Sequence, residues 1–395
     1  MTKKTSKTET KTATKLAHAG LNPHDNHGFV NPPVIHASTV LFPDAETMRS
    51  GKKKYKYGRR GTPTSDALTG AVTELEGASG SVLAPSGLAA TSLACMSCLK
   101  AGDHLLMTDS AYEPTRHFCD VVLKSFGVQT TYYDPMIGAG ISTLFEQNTR
   151  AVFTESPGSL TFEIQDIQAI ADVAHKHDAL VLMDNTWATP LYFRPLDHGV
   201  DLSIQAGTKY LVGHSDVMLG TIAANERAWS DLIRFHGALG IHVGPDDVYL
   251  GLRGLRTMGI RLAEHQRNAL AIATWLDGRD DVGKVFHPAL PGSPGHTLWK
   301  RDFKGSTGLF SFELKRSTEQ QVTAFLNALE IFGLGYSWGG FESLAIWARP
   351  ETSRTIEPQK WDTPLIRLHI GLEDPEDLMD DLKKAFQAAS NATGS

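Results

Sequence analysis

Asp201-Leu-Ser-Ile-Gln-Ala-Gly-Thr-Lys-Tyr-Leu-Val-Gly-His-Ser215 is the stretch on which the reading of this chain turns, and its centre is Lys209. A lysine is normally a solvated surface charge. This one is followed by Tyr210, Leu211 and Val212 and preceded by the small pair Ala206-Gly207. An apolar surround raises the cost of the ammonium form, so the amine is neutral and nucleophilic at a lower pH than usual. Small residues beside it let a ligand approach the backbone. An activated lysine amine forms Schiff bases with carbonyl compounds. The rest of the chain must supply a place for such a compound.

Upstream of this stretch the pattern alternates. Residues 64–75 read as a helix, Ser81-Val-Leu-Ala as a short strand, and the segment after Pro85-Ser-Gly-Leu88 as a helix through Cys98. Strands follow at His104-Leu-Leu-Met-Thr, Val128-Gln-Thr-Thr-Tyr-Tyr, Ala151-Val-Phe-Thr-Glu and Leu180-Val-Leu-Met-Asp, with a helix over 164–177 before the last. Apolar strands separated by helices predict a mainly parallel sheet covered on both faces. Ligands of such sheets bind outside the carboxyl ends of the strands. After about residue 250 the character changes. One or two long helices are expected over 249–275, then strands at Gly308-Leu-Phe-Ser-Phe-Glu-Leu, 343–347 and 366–370, with helices over 318–329 and 373–389. This predicts a smaller α+β domain. The division expected is a disordered tail (1–15), an N-terminal arm (16–60), a cofactor-binding domain (61–250) and a C-terminal domain (251–395).

Composition narrows the partners. The 395 residues are 41% hydrophobic and 21% charged with a net charge of −6, which gives no reason to expect nucleic acid or an anionic membrane as partner. No apolar run is long enough to span a bilayer. Three cysteines argue against a secreted disulfide scaffold and fit a reducing, cytoplasmic setting. The Thr/Lys-rich start lacks the apolar segment of a secretory signal and reads as a solvated tail. The arm, with Pro23, Pro32, Pro33 and Pro43, is expected to lie on a neighbouring subunit. It ends in Gly51-Lys-Lys-Lys-Tyr-Lys-Tyr-Gly-Arg-Arg60, which is either a solvated face or an anion site for a small phosphate. In the second case Tyr57 and Arg59 point the same way on an extended segment.

Four loops at strand ends carry polar residues suited to one ligand. Ser86-Gly-Leu88 opens a helix, so the N–H groups of Gly87 and Leu88 are available to a phosphate. Tyr112, in Ser110-Ala-Tyr-Glu-Pro, either stacks on a flat ring or simply packs. Asp184 closes the 180–183 strand and is either a turn aspartate or the partner of a pyridine nitrogen. Thr208 offers a hydroxyl beside Lys209. Cys95-Met-Ser-Cys98 has no second pair and falls inside a helix, so it reads as buried core rather than as a metal or redox site. No metal is expected.

With these residues in hand, the stretch 201–215 resembles, at every specified position, the lysine signature of the Cys/Met-metabolism family of pyridoxal-phosphate enzymes. The resemblance covers nearly the whole chain after residue 16. Tyr57-Gly-Arg59, Ser86-Gly-Leu88, Tyr112, Asp184 and Lys209 all stand at the family's spacings. It implies fold type I (aspartate-aminotransferase-like), with a large, mainly parallel α/β domain and a smaller C-terminal α+β domain. It implies pyridoxal 5'-phosphate as cofactor, bound through Tyr57, Arg59, Gly87, Leu88, Tyr112, Asp184, Ala206, Thr208 and Lys209. It implies substrate contacts from Tyr57, Tyr112, Ser337, Trp338 and Arg367, and catalysis by Lys209 and Tyr112. It also implies a homotetramer, a dimer of dimers in which Tyr57 and Arg59 reach the neighbouring subunit's phosphate.

Within the family the likeness is to members that β-eliminate cystathionine, a step in methionine biosynthesis. It is carried by Asp184-Asn-Thr-Trp187, His287-Pro-Ala-Leu-Pro-Gly292, Trp299-Lys-Arg-Asp-Phe303, Tyr336-Ser-Trp-Gly-Gly340 and Ile366-Arg-Leu-His-Ile-Gly-Leu-Glu-Asp374. Compared with the γ-acting relatives, the chain has Ala206 for a usual serine, Ser159 for an asparagine after Glu-Ser-Pro, and Tyr336 for an acidic residue. The alternative is a γ-acting synthase, lyase or homoserine-ester sulfhydrylase. One departure stands out: Gly237 occupies a position near which the β-lyases carry a tyrosine.

Overall fold

The computed structural model describes residues 10–315, 317–356 and 363–392. The first nine residues of the expected tail therefore lie outside it. Within the described part the helix Thr12–His18 begins inside that tail and buries Leu16, so order starts earlier than expected. Leu16 and Ala19 pack against the helices Pro63–Glu76 and Pro245–Asp277, which supply the apolar surface this short helix lacks alone.

The large domain is a seven-stranded sheet. Its strands in chain order are β1 (Gly80–Ala84), β2 (His104–Thr108), β3 (Gln129–Tyr133), β4 (Thr149–Glu155), β5 (Leu180–Asp184), β6 (Leu202–Gln205) and β7 (Gly220–Ala224). They lie side by side as β1-β7-β6-β5-β4-β2-β3. All pairs are parallel except those of β7, which runs against both β1 and β6. Runs such as Leu105-Leu106-Met107 and Val181-Leu182-Met183 are buried throughout because helices cover both faces. Each buried Leu, Val or Met contributes about 1.5–3 kcal/mol. The carboxyl ends of β1, β2, β4, β5 and β6 share one edge, and register sets Glu155 of β4 beside Asp184 of β5.

The smaller sheet contains β8 (Val282–Phe286), β9 (Leu309–Leu314), β10 (Gly333–Leu334), β11 (Leu344–Ala348) and β12 (Leu365–His369), in the order β10-β11-β12-β9-β8. A separate apolar core lies between this sheet and its helices. The boundary expected at 250 falls inside a single helix, Pro245–Asp277. Its first half packs on the large domain through Val248, Leu252 and Leu255, and its second half on the small sheet through Ala269, Ile272 and Leu276. A continuous 3.6-residue period with no internal Pro gives the chain no reason to break there.

Candidate active site

Lys209 stands one turn beyond the end of β6. Its neighbours Tyr210, Leu211 and Val212 are all buried, at 1%, 3% and 1% exposure, so the apolar surround read from the sequence is real. Burial first, and then the positive field of Arg367, draw the Lys209 amine down to about 8, with Asp184 opposing them. Its Nζ donates to Ser337 Oγ (2.5 Å) and lies 5.4 Å over the Trp338 ring.

Asp184 ends β5 and is largely buried. Its Oδ1 accepts from Thr186 N (3.0 Å) and Thr186 Oγ1 (2.5 Å), and Thr186 Oγ1 in turn accepts the Ala206 N–H (2.8 Å). Among the described residues Oδ2 has no protein partner. Burial pushes the Asp184 carboxyl up, against the Thr186 hydrogen bonds and the charge of Lys209. Glu155, alongside, is pushed up further, by burial first and then by Asp184. One of its oxygens accepts the Tyr112 N–H (2.7 Å). The Thr186 hydrogen bonds and the Lys209 charge favour the Asp184 carboxylate, whose charge in turn pushes Glu155 up. Tyr112 itself is 49% exposed. Its hydroxyl is pushed up by burial and Glu155, with Arg367 pulling the other way.

Gly87 opens the helix Gly87–Cys98, with Ser86 as its cap accepting from Ala89 N (3.1 Å). The first N–H groups of a helix have no internal partner, which leaves those of Gly87 and Leu88 free. A Cβ on Gly87 would overlap Ala206, so the glycine is required where this helix meets the lysine loop. The Thr208 hydroxyl donates to Leu219 O (3.1 Å) and accepts from Leu219 N (2.9 Å), which holds the lysine loop to the start of β7.

Arg367 lies on β12 and is 9% exposed. Nη2 donates to Ser337 O (2.9 Å), Nε is buried without a partner, and among the described residues no carboxylate pairs with it. Burial lowers it to about 10. A buried guanidinium without an acid is costly, and an arriving carboxylate relieves it. The Ser337 carbonyl faces Arg367 and orients the guanidinium.

Tyr57 and Arg59 are not brought to this pocket. The 58–60 segment is a single 3-10 turn closed by Arg60 N to Tyr57 O (2.9 Å), not the extended chain expected. Arg59 sits 5.8 Å over the Tyr57 ring and donates to Gly237 O (3.3 Å). Arg59 borders a cavity of about 360 Å³ that also includes Arg60, His236 and Gly237. The Arg60 guanidinium occupies the space a side chain on Gly237 would enter, so a larger residue there displaces it. Cys95 and Cys119 are buried, and Cys98 is half-buried and also free.

The sequence reading missed Thr186 and the Glu155 carboxyl as parts of the site. A threonine two residues after a strand-end aspartate is a local signal for the first. Only the β4/β5 register reveals the second.

The arrangement combines a strand-end carboxylate with one oxygen open to the pocket, a glycine cradle at a helix start and a depressed lysine, which together fit pyridoxal phosphate. Comparison with known proteins agrees. Residues 13–387 match the model of the family described as Cys/Met metabolism PLP-dependent enzyme. A Rhizobium johnstonii protein is 59% identical over 381 residues, 95% of this chain and 96% of that one. The cystathionine beta-lyase of Haemophilus influenzae is 45% identical over 386 residues, covering 95% and 98%. Among solved structures, cystathionine gamma synthase from Xanthomonas oryzae pv. oryzae in complex with aminoacrylate and cysteine is similar with a TM-score of 0.91. It shares 34% identity and covers 98% of this chain and 100% of that one.

Proposed function

Because the chain belongs to the Cys/Met metabolism PLP-dependent enzyme family, we propose that it is a carbon–sulfur lyase that β-eliminates L-cystathionine and related cysteine S-conjugates. From cystathionine the products are homocysteine, pyruvate and ammonia, a step in methionine biosynthesis. The observation that carries the reading is the convergence of Lys209, Asp184 and the unpaired Arg367 on one pocket at the strand ends. The likeness to the Haemophilus β-lyase favours β- over γ-chemistry, and Ala206 and Ser159 agree with it.

When bound, pyridoxal phosphate supplies an aldehyde for attachment and a protonated pyridine ring that stores an electron pair. The protein's residues do the rest. Lys209 would hold the cofactor covalently and be freed when an amino-acid substrate takes its place. Arg367 grips the α-carboxylate as a planar clamp, steadied by Ser337 O. The freed Lys209 amine takes the Cα proton, and the Cβ–S bond breaks with its electron pair going to sulfur. Asp184 would keep the pyridine nitrogen protonated, and Thr186 keeps Asp184 in place. Glu155 fixes the Tyr112 backbone, so that the Tyr112 ring would serve as a stacking platform. Tyr112, whose hydroxyl feels the charge of Arg367, would also assist proton transfer. Gly87 and Leu88 N–H groups would bind the phosphate, and Ala206 and Thr208 shape the lysine loop. Trp338 walls the pocket at Lys209.

We read the assembly as a homotetramer in which Tyr57 and Arg59 serve the partner's site. Their distance in contacts from Lys209 within one chain supports this, as does the exposure of Phe29, Val30 and Leu41 on the arm. A cytoplasmic location is consistent with three free cysteines and with the absence, among the described residues, of a helix long and apolar enough to cross a membrane.

The deciding experiment is product analysis with cystathionine. Pyruvate with homocysteine is expected. 2-Oxobutyrate with cysteine would replace the reading by γ-elimination. A second expectation follows from the amine pKa of about 8. Only the neutral amine attacks an aldehyde, so uptake of pyridoxal phosphate by the apoprotein accelerates as pH rises. The gain is about tenfold per unit up to pH 8, with a plateau above. Stopped-flow absorbance from pH 6 to 9 reads it, and a flat profile contradicts the depressed pKa.

A further inference from the structure

The turn that carries Ser337 has an unusual support. Ser337 and Gly339 both have positive φ, 83° and 88°. A Cβ on Gly339 would stand 2.9 Å from the Lys209 Cα, so the turn lies directly on the lysine's backbone. Its Ser337 Oγ receives Lys209 Nζ and its Ser337 O receives Arg367. The proposed base and the proposed clamp thus meet on one strained segment, and an interaction must hold it there.

That interaction is made by His369, wholly buried on β12 two residues beyond Arg367 and so on the same face of the strand. Its Nε2 lies 3.1 Å from Gly339 N and 3.1 Å from Gly340 O. One nitrogen cannot serve both. A backbone N–H can only donate, so a bare Nε2 satisfies it, and the ring proton then sits on Nδ1. The ring centroids of His369 and His265 are 5.2 Å apart. His265 Nδ1 faces Ile370 O (2.8 Å) and must donate to it, which leaves His265 Nε2 as a bare acceptor. His265 Nε2 and His369 Nδ1 are both buried without a partner, and they are of opposite sense, acceptor and donor. The two do not bond each other, so the Gly339 N–H is what assigns the Nδ1–H form of His369. Burial above all, then His265, and more weakly Arg367 and Lys209, hold the His369 ring well below the ordinary histidine range, so it stays neutral and able to accept.

We propose that His369 is a positioning residue. By accepting the Gly339 N–H it holds the 337–340 turn in the form that aims Ser337 O at Arg367, and so sets the affinity of the pocket for an amino-acid α-carboxylate. The effect on carboxylate affinity rests on the clamp reading of Arg367, and the hold on the turn does not.

The test uses loaded enzyme and two polar replacements of similar bulk. His369→Gln places an amide oxygen near the position of Nε2. His369→Asn reaches only the position of Nδ1. The probe is L-alanine, which has the carboxylate but no leaving group, and its binding is read from the change in cofactor absorbance. In H369N the Kd is expected to rise about tenfold, the scale of one lost hydrogen bond in a buried site, while kcat on cystathionine moves less than about threefold. In H369Q the Kd returns to within about threefold of the parent. Hydrogen exchange of the peptide spanning 337–340, followed by mass spectrometry, accelerates in H369N and not in H369Q. Equal behaviour of the two variants in both measurements overturns the proposal, as does a fall in kcat with unchanged Kd. If H369N does not fold, unaltered exchange in H369Q supports the proposal and accelerated exchange overturns it. Failure of the clamp reading shows separately, as alanine binding that survives Arg367→Ala.

Discussion

Replacing Lys209 by alanine abolishes turnover, with a loss in kcat of at least about four orders of magnitude. Two functions disappear together. The covalent anchor of the cofactor is the Lys209 amine, and so is the base that takes the Cα proton. No other group within reach substitutes for it. The hydroxyl of Tyr112 is pushed up by burial and by Glu155, which makes it a poor base near neutrality. Glu155 is pushed up by burial and by Asp184 and is tied to the Tyr112 N–H. The variant retains its fold, because Lys209 is only half-buried and alanine keeps its backbone hydrogen bonds to Ala206 and Gly213, losing only the side-chain contact with Ser337 Oγ. Pyruvate release from cystathionine measures the first loss. Borohydride treatment measures the second: the parent protein acquires a reduced cofactor fixed at Lys209, and the alanine variant does not. Elimination at near parental rate in K209A would remove Lys209 from the centre of the site.

Removing the guanidinium of Arg367 lowers kcat/KM by about two to three orders of magnitude, with bound cofactor unchanged. The magnitude follows from a buried, charge-assisted pair, for which losing one partner costs about 2–5 kcal/mol. The structure explains why the loss falls on substrate. Arg367 meets no carboxylate among the described residues, so in the empty pocket its charge is compensated only by Ser337 O. Its cofactor-side neighbours, Asp184 and Thr186, are held by each other and by Ala206 N, not by Arg367. Arg367→Ala and Arg367→Lys serve together. The lysine keeps the charge but not the planar two-point geometry, and it is expected to recover no more than about a tenth of the activity. Steady-state kinetics and cofactor absorbance on the same preparations check both points. An alanine variant with unaltered KM would refute the clamp.

Much of this site was legible before the fold was known, and the reasons are local. Asp184 follows an unbroken apolar strand, and a polar residue at such an end faces the ligand edge of a parallel sheet. Gly87 follows a serine at a helix start. Lys209 precedes three apolar residues that proved to be buried. Each signal spans a few residues, the range over which period and turn chemistry act. What such windows do not record is contact with distant segments: the Thr208 hydroxyl meets Leu219. Nor do they fix the 58–60 turn, which closes through Arg60 N and Tyr57 O.

The amino-acid sequence alone determined the mainly parallel sheet, the smaller second sheet and the residue types at each strand end, because hydrophobic period and turn residues encode these within short windows. Tertiary structure alone decided which of those residues meet. It set Glu155 beside Asp184 through strand register, left Arg367 buried without an acid, and turned the Ser337 carbonyl onto it. It joined the two domains through one helix, Pro245–Asp277, and placed His369 behind Gly339. These are contacts between segments tens to hundreds of residues apart. Their geometry depends on how crossovers and packed faces close in space, and no local pattern records that.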